Sequence, residues 1–228
     1  MKTKYLPLLA LCALLVPSLA VAQDAATDAA AAHTASRTLL QENKVKEAIA
    51  ELDRAIALDA NNPDYHADLG SAISRLMPEL NFMQRAMGAG KMKKAFERAV
   101  ELNPQHLGGL IGLTRYYANA PEIAGGSMEK AKSTAERVRA IHPFLGELEL
   151  GQIAERNEDF TTALTHFDAA GQLNPSHAGA LTAAGRVLVR LGQTDEARAR
   201  FSAALAAQPN HAGARAALAA LDAAAAKN

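Results

Sequence analysis

Pro175 and Pro209 stand 34 residues apart, and each closes a stretch of the same make, ALTHFDAAGQLNPSH and ARARFSAALAAQPNH. In both, alanine, phenylalanine and alanine recur at helical spacing (Ala163, Phe167 and Ala170; Ala197, Phe201 and Ala204), and the proline then ends the helix. Two upstream stretches, AIAELDRAIALDANN and AFERAVELNPQH, can be laid over them. An amphipathic helix of this kind cannot bury its apolar face alone, so a chain that repeats it must stack the copies on one another. Composition points the same way: 49% of the residues are hydrophobic, yet only 4% are aromatic and none is tryptophan, which suits thin helix-on-helix packing better than a thick sheet core. The expected fold class is all-α.

The interval and the alternation of small and large positions resemble the tetratricopeptide repeat, a helix-turn-helix unit of 34 residues. In the stretch from Ala178 to His211, Ala184-Gly185 stands at that family's Leu-Gly site and Leu188 at its Tyr site. Gly192 falls at the turn, Ala197 and Phe201 match the second helix, and Pro209 matches the closing proline. The resemblance implies a repeat solenoid of about five units, at 29–62, 63–106, 107–143, 144–177 and 178–211, with a capping helix and tail at 212–228. The unit at 63–106 carries about ten extra residues and that at 107–143 about five, measured against the 34-residue period. In this family stacked units present a concave face that binds peptides, so the resemblance implies a non-enzymatic scaffold or adaptor for protein partners.

The N-terminus reads as a secretory signal over residues 1–22. Lys2 and Lys4 form the charged start, Tyr5 to Val16 the apolar run, and Ala20-Val21-Ala22 the cleavage site. Pro7 and Pro17 break the run, which is short of the roughly 20 residues that span a bilayer. Residues 23–28 are expected to be a short flexible segment. Cleavage would remove Cys12, the sole cysteine, and leave two more acidic than basic side chains. The expectation is a periplasmic or secreted protein without membrane insertion, with a partner in the cell envelope and no pull toward nucleic acid.

Motifs for chemistry are missing: there is no nucleophile elbow, no Walker-type phosphate loop and no HExxH. His106, His177 and His211 occupy one repeat position, so they are too far apart to share a metal and read as turn-lining structural residues. No enzyme activity, cofactor or metal is expected. The residues singled out for partner binding are Arg37, Arg75, Arg115, Asn119, Arg156, Arg186 and Arg190, at positions that line the groove in the family. They form a basic stripe suited to carboxylates.

Two expansions, 76–90 and 119–127, form a second candidate surface. In the first, Leu80, Met83 and Met87 share a helical face after Pro78, and the pattern predicts a short extra helix that breaks at Gly88-Ala89-Gly90, whose methionine-rich face either adapts to varied partners or, the favoured reading, folds down as core. In the second, Pro121, Ile123, Gly125, Gly126 and Ser127 make a candidate loop site, with Ile123 as anchor and free N–H groups near Ser127 able to hold an anion. The alternative reading is a small-ligand-binding periplasmic component of a transport system, which would need an apolar pocket lined by these expansions.

Overall fold

The computed structural model describes residues 16–225, and side chains from residue 24 onward. Among the described residues there are eleven α-helices and no strand. They form five helix-turn-helix pairs and one further helix, in two compact units that divide after Pro104. The first unit holds α1 (Val16–Gln41), α2 (Val45–Leu58), α3 (Pro63–Leu76) and α4 (Phe82–Leu102). The second holds α5 (Leu107–Asn119), α6 (Met128–Ile141), α7 (Pro143–Arg156), α8 (Phe160–Leu173), α9 (Ala178–Arg190), α10 (Thr194–Ala207) and α11 (Ala212–Ala225).

The signal segment expected over residues 1–22 lies outside the described residues up to residue 15. Its cleavage motif falls in the backbone of α1. Residues 23–28, expected to be flexible, are helical instead, because the stretch is rich in alanine and holds neither glycine nor proline to stop α1. From residue 24 onward the buried side chains of α1 are Ala29, Ala32 and Ser36.

Pairing within the repeats rests on a trade of volume between facing positions. A Cβ built on Gly70, Gly151 or Gly185 would come within 2.6, 2.6 or 2.5 Å of the ring of Phe96, Phe167 or Phe201. Each first helix therefore drops a side chain where its partner inserts a ring, and the rings are buried. At the same register α1 and α2 carry Ser36 and Leu52, and α5 and α6 carry Thr114 and Ala135, all buried. As the first-helix residue grows, the second-helix residue shrinks.

The ten-residue expansion leaves the Gly70 contact with Phe96 intact, since the extra length goes elsewhere. A 3-10 turn at Met77–Glu79 follows α3, and α4 then runs unbroken for 21 residues where α2 has 14. The break expected at Gly88-Ala89-Gly90 does not occur, and no separate extra helix forms. Asn81 and Gln84 start α4 with a full capping box, and no proline interrupts the helix downstream of it. Gly88 sits where a Cβ would be 3.2 Å from Met77 Sδ and 3.4 Å from Leu80 Cδ1, so it admits the incoming turn. Of the apolar face expected to fold down as core, Leu80 is half-buried but Met83 and Met87 are each 74% exposed, and the neighbouring Phe82 is 90% exposed. The lengthened turn of α4 projects beyond α3, which ends at Leu76.

Candidate functional site

In the second unit, α5 lies beside α7, and α7 and α9 are the first helices of successive pairs. Their facing side chains are tied by charge. Arg115 on α5 binds Glu149 on α7 through three contacts, from Nε at 3.0 and 3.2 Å and from Nη2 at 2.6 Å. The Glu149 side chain is 3% exposed while that of Arg115 is 58% exposed, so the pair sets a guanidinium at the surface over a buried counter-ion. One turn on, Arg156 Nη1 donates to Asn119 Oδ1 at 2.7 Å, and Asn119 Nδ2 donates to the Arg115 carbonyl. On α9, Arg186 grips Glu155 of α7 with contacts of 2.9 to 3.3 Å.

Between α5 and α7 these residues line a shallow cleft of about 120 Å³, whose walls include Thr114, Arg115, Asn119, Glu149, Gln152 and Arg156. Arg115 keeps Nη1 outside its contacts with Glu149, and Arg156 keeps Nε and Nη2 outside its bond to Asn119. Two oriented guanidiniums thus border one opening, a geometry that accepts planar carboxylates.

The other stripe residues stand apart from this cleft. Arg190, at the end of α9, stacks its guanidinium 4.4 Å from the centre of the Phe160 ring. Thr182, at a groove position by register, is buried and donates its hydroxyl to the Ala178 carbonyl, so it faces the core. In the first unit Arg75 closes the end of α1 by donating to the Leu40 carbonyl at 3.1 Å and to Asn43 Oδ1 at 3.5 Å. Arg37 is exposed on α1. Glu149 was not singled out from the sequence, although it lies one repeat, 34 residues, beyond its partner Arg115. Glu155 with Arg186, 31 residues apart, and Asn119 with Arg156, 37 apart, fall three residues short of and three beyond that interval.

The loop at 119–127 is a closed turn. Residues Glu122–Ala124 form a 3-10 turn, Gly125 takes φ of 85°, and a Cβ on Gly126 would collide with the Ala120 carbonyl oxygen at 1.8 Å. Four of the N–H groups near Ser127 are engaged within the turn and the cap of α6. Those of Gly125, Gly126 and Ser127 bond to the carbonyls of Glu122, Pro121 and Tyr117, and Ser127 caps α6 by accepting from Lys130 N. The anchor is Tyr116, whose hydroxyl donates to the Ala124 carbonyl at 2.6 Å, and not Ile123, which is 99% exposed. Among the described residues no group of three or more His, Cys, Asp or Glu side chains could hold a metal, and no helix is long and apolar enough to cross a membrane.

Residues 154–221 match the tetratricopeptide repeat family, and residues 37–76 match a TPR repeat. No curated protein matches the chain in sequence. Among solved structures, a thermophilic TPR protein of Thermus thermophilus superposes with a TM-score of 0.70 at 18% identity, over 85% of this chain and 98% of that one. PilF of Pseudomonas aeruginosa gives 0.64 at 15% identity over 88% and 90%. MamA of Desulfovibrio magneticus RS-1 gives 0.58 at 17% identity over 81% and 97%. At these identities the likeness is one of fold.

Proposed function

We propose that this chain of tetratricopeptide repeats is a non-enzymatic, exported scaffold that binds a carboxylate-bearing peptide or protein segment at the cleft between α5 and α7. The observation that carries the reading is the pair of guanidiniums, one set by buried Glu149 and one by Asn119, over a common opening. Surface arginines are ordinarily mobile and weakly useful; holding them in place lowers the entropy lost when a ligand is bound. The cleft is small beside the 300 Å³ or more of usual small-molecule pockets, and Phe82, Met83 and Met87 stand in solvent instead of lining a cavity. Both features favour an extended chain over an enclosed small ligand.

Export rests on the sequence of the first 22 residues; cleavage before Gln23 would leave the buried Ala29, Ala32 and Ser36 in the mature chain. N-terminal sequencing of the protein from a fractionated cell should then give Gln23 in the envelope or medium, whereas an intact start in the cytosol would overturn export.

For the cleft, a photo-crosslinking residue in place of exposed Gln152 should trap a defined partner in cells. The same trap in an Arg156→Glu background should lose it, by about tenfold or more for a reversed charge contact. Arg156 is the better probe than Arg115, because a glutamate at 115 would face buried Glu149 and disturb the fold itself. Unchanged capture with folded Arg156→Glu would defeat the cleft as binding site.

A further inference from the structure

Four helices of the second unit, α5, α7, α9 and α11, begin on a histidine: His106, His142, His177 and His211. In each, ring Nδ1 accepts the backbone N–H three residues on, from Gly109 at 2.9 Å, Leu145 at 3.4 Å, Ala180 at 3.0 Å and Ala214 at 3.2 Å. Only a neutral imidazole protonated on Nε2 has a lone pair on Nδ1, so cap and proton exclude one another. The second helices begin differently: α6 on Ser127, α8 on Asp159, and α10 on Gln193, whose side chain makes no cap bond. Within the second unit the histidine caps are therefore confined to first helices and the closing helix α11, while α8 carries a carboxylate cap.

We propose that His142, His177 and His211 form a pH-sensitive device: acidification from pH 7.5 to 5.5 uncaps α7, α9 and α11 together, loosening their first turns while α6 and α8 stay capped. Two effects act in the same direction. Protonation replaces the acceptor by a donor that the helix N–H groups repel, and it puts a positive charge at the positive end of the helix dipole.

The surroundings offer little to offset this. None of the three rings forms an ion pair with a carboxylate among the described residues. Close to His142 in the chain, Arg139 of α6 is bound to Glu136 and Glu147, and Glu147 of α7 also holds His166 of α8 at 2.7 Å. The ring of His177 packs edge-on against Phe144 of α7, 4.8 Å between centres. Near His211, Arg215 of α11 donates to the Pro209 carbonyl, adding positive charge to that turn. Thr182 Oγ1 of α9 lies 3.3 Å from His211 Nδ1 and can accept from the protonated ring, which exchanges the cap for a bond to α9. Two other histidines lie against carboxylates, His33 on Asp68 and His166 on Glu147, and are not helix caps. The test must therefore isolate the caps. The device does not depend on the cleft binding anything, although α7 forms one of its walls.

The experiment compares the native protein with His142→Asn/His177→Asn/His211→Asn, since asparagine caps as well and does not titrate. At pH 7.5 the two should melt within about 2 °C of each other, and at pH 5.5 the native protein should melt roughly 6–12 °C below the variant, for three lost caps. Hydrogen exchange, corrected for the intrinsic effect of pH, should show the first-turn amides of α7, α9 and α11 about five- to tenfold less protected at pH 5.5, with those of α6 and α8 unchanged. Parallel melting of variant and native protein across this range, or first turns with unaltered protection, would overturn the device. Should the triple variant fail to fold, His177→Asn alone decides by exchange: α9 must lose its pH response while α11 keeps it.

Discussion

Arg115 and Glu149 carry opposite burdens, because the carboxylate is enclosed and the guanidinium is half in water. Arg115→Ala should cost about 1–3 kcal/mol in urea unfolding, below the 3–5 of a fully buried pair because water reaches the vacated side. Adding Glu149→Gln should recover part of that loss, since a neutral amide is cheaper to leave in place than an unpaired charge. Gly185 sets a second test. Its Cβ would lie 2.5 Å from the Phe201 ring, which is fully buried and cannot swing away, so Gly185→Ala should cost about 1–3 kcal/mol. Phe201→Leu in that background should be less harmful than alone, because Ser36 and Leu52 already show a larger first-helix residue with a smaller partner at this register. The glycine and the phenylalanine were legible in the sequence as a repeating pair. Glu149 was not, because nothing in the run Glu147-Leu148-Glu149-Leu150 distinguishes it from Glu147, and its partner lies 34 residues away.

At the scale of the element, α4 shows what a ten-residue expansion does when a strong cap precedes it. The periodicity of Leu80, Met83 and Met87 identified a helix correctly, but two glycines were read as a stop, whereas glycine only weakens a helix by about 1 kcal/mol and stops one mainly at its end. What decides the outcome is the capping box at Asn81 and Gln84. Asn81→Ala should therefore cost about 1 kcal/mol and raise exchange in the first turns of α4. Met83→Gln with Met87→Gln should leave the unfolding midpoint nearly unchanged, within about 0.5 kcal/mol, as exposed side chains do. A loss of 2 kcal/mol or more would mean that this face is covered in solution. The cap of α8 behaves differently with pH from the histidine caps: the Thr162 hydroxyl, and then its backbone N–H, hold the Asp159 carboxyl below the usual carboxylate range. Its contribution is present above the unfolded value near 4 and is lost only as pH falls through the lower folded value.

Across the molecule, the repeat period alone carried the fold class, because burial depends on each helix meeting its neighbour and hardly on distant sequence. The placement of charged side chains between repeats needed coordinates, since a pairing of residues 31 to 37 apart shifts with every local change of helix length. The same one-dimensional logic makes a prediction about stability within the second unit. There α5 packs on α6, α6 on α7, and so on to α11, with few contacts that skip a helix. Phe201→Ala removes the ring that fills the α9–α10 pair, at an expected cost of about 3–5 kcal/mol. If stability is a sum of unit and nearest-neighbour contributions, the loss should stay near its source: amides of α9, α10 and α11 should exchange much faster, and those of α5 and α6 should keep most of their protection. A fall of equal size in all seven helices would mean that the unit opens only as a whole, and that its inner helices are coupled more tightly than their neighbour contacts imply. The graded outcome also bears on binding, since α5 and the Asn119 end of the cleft would then stay ordered while the distal helices fray.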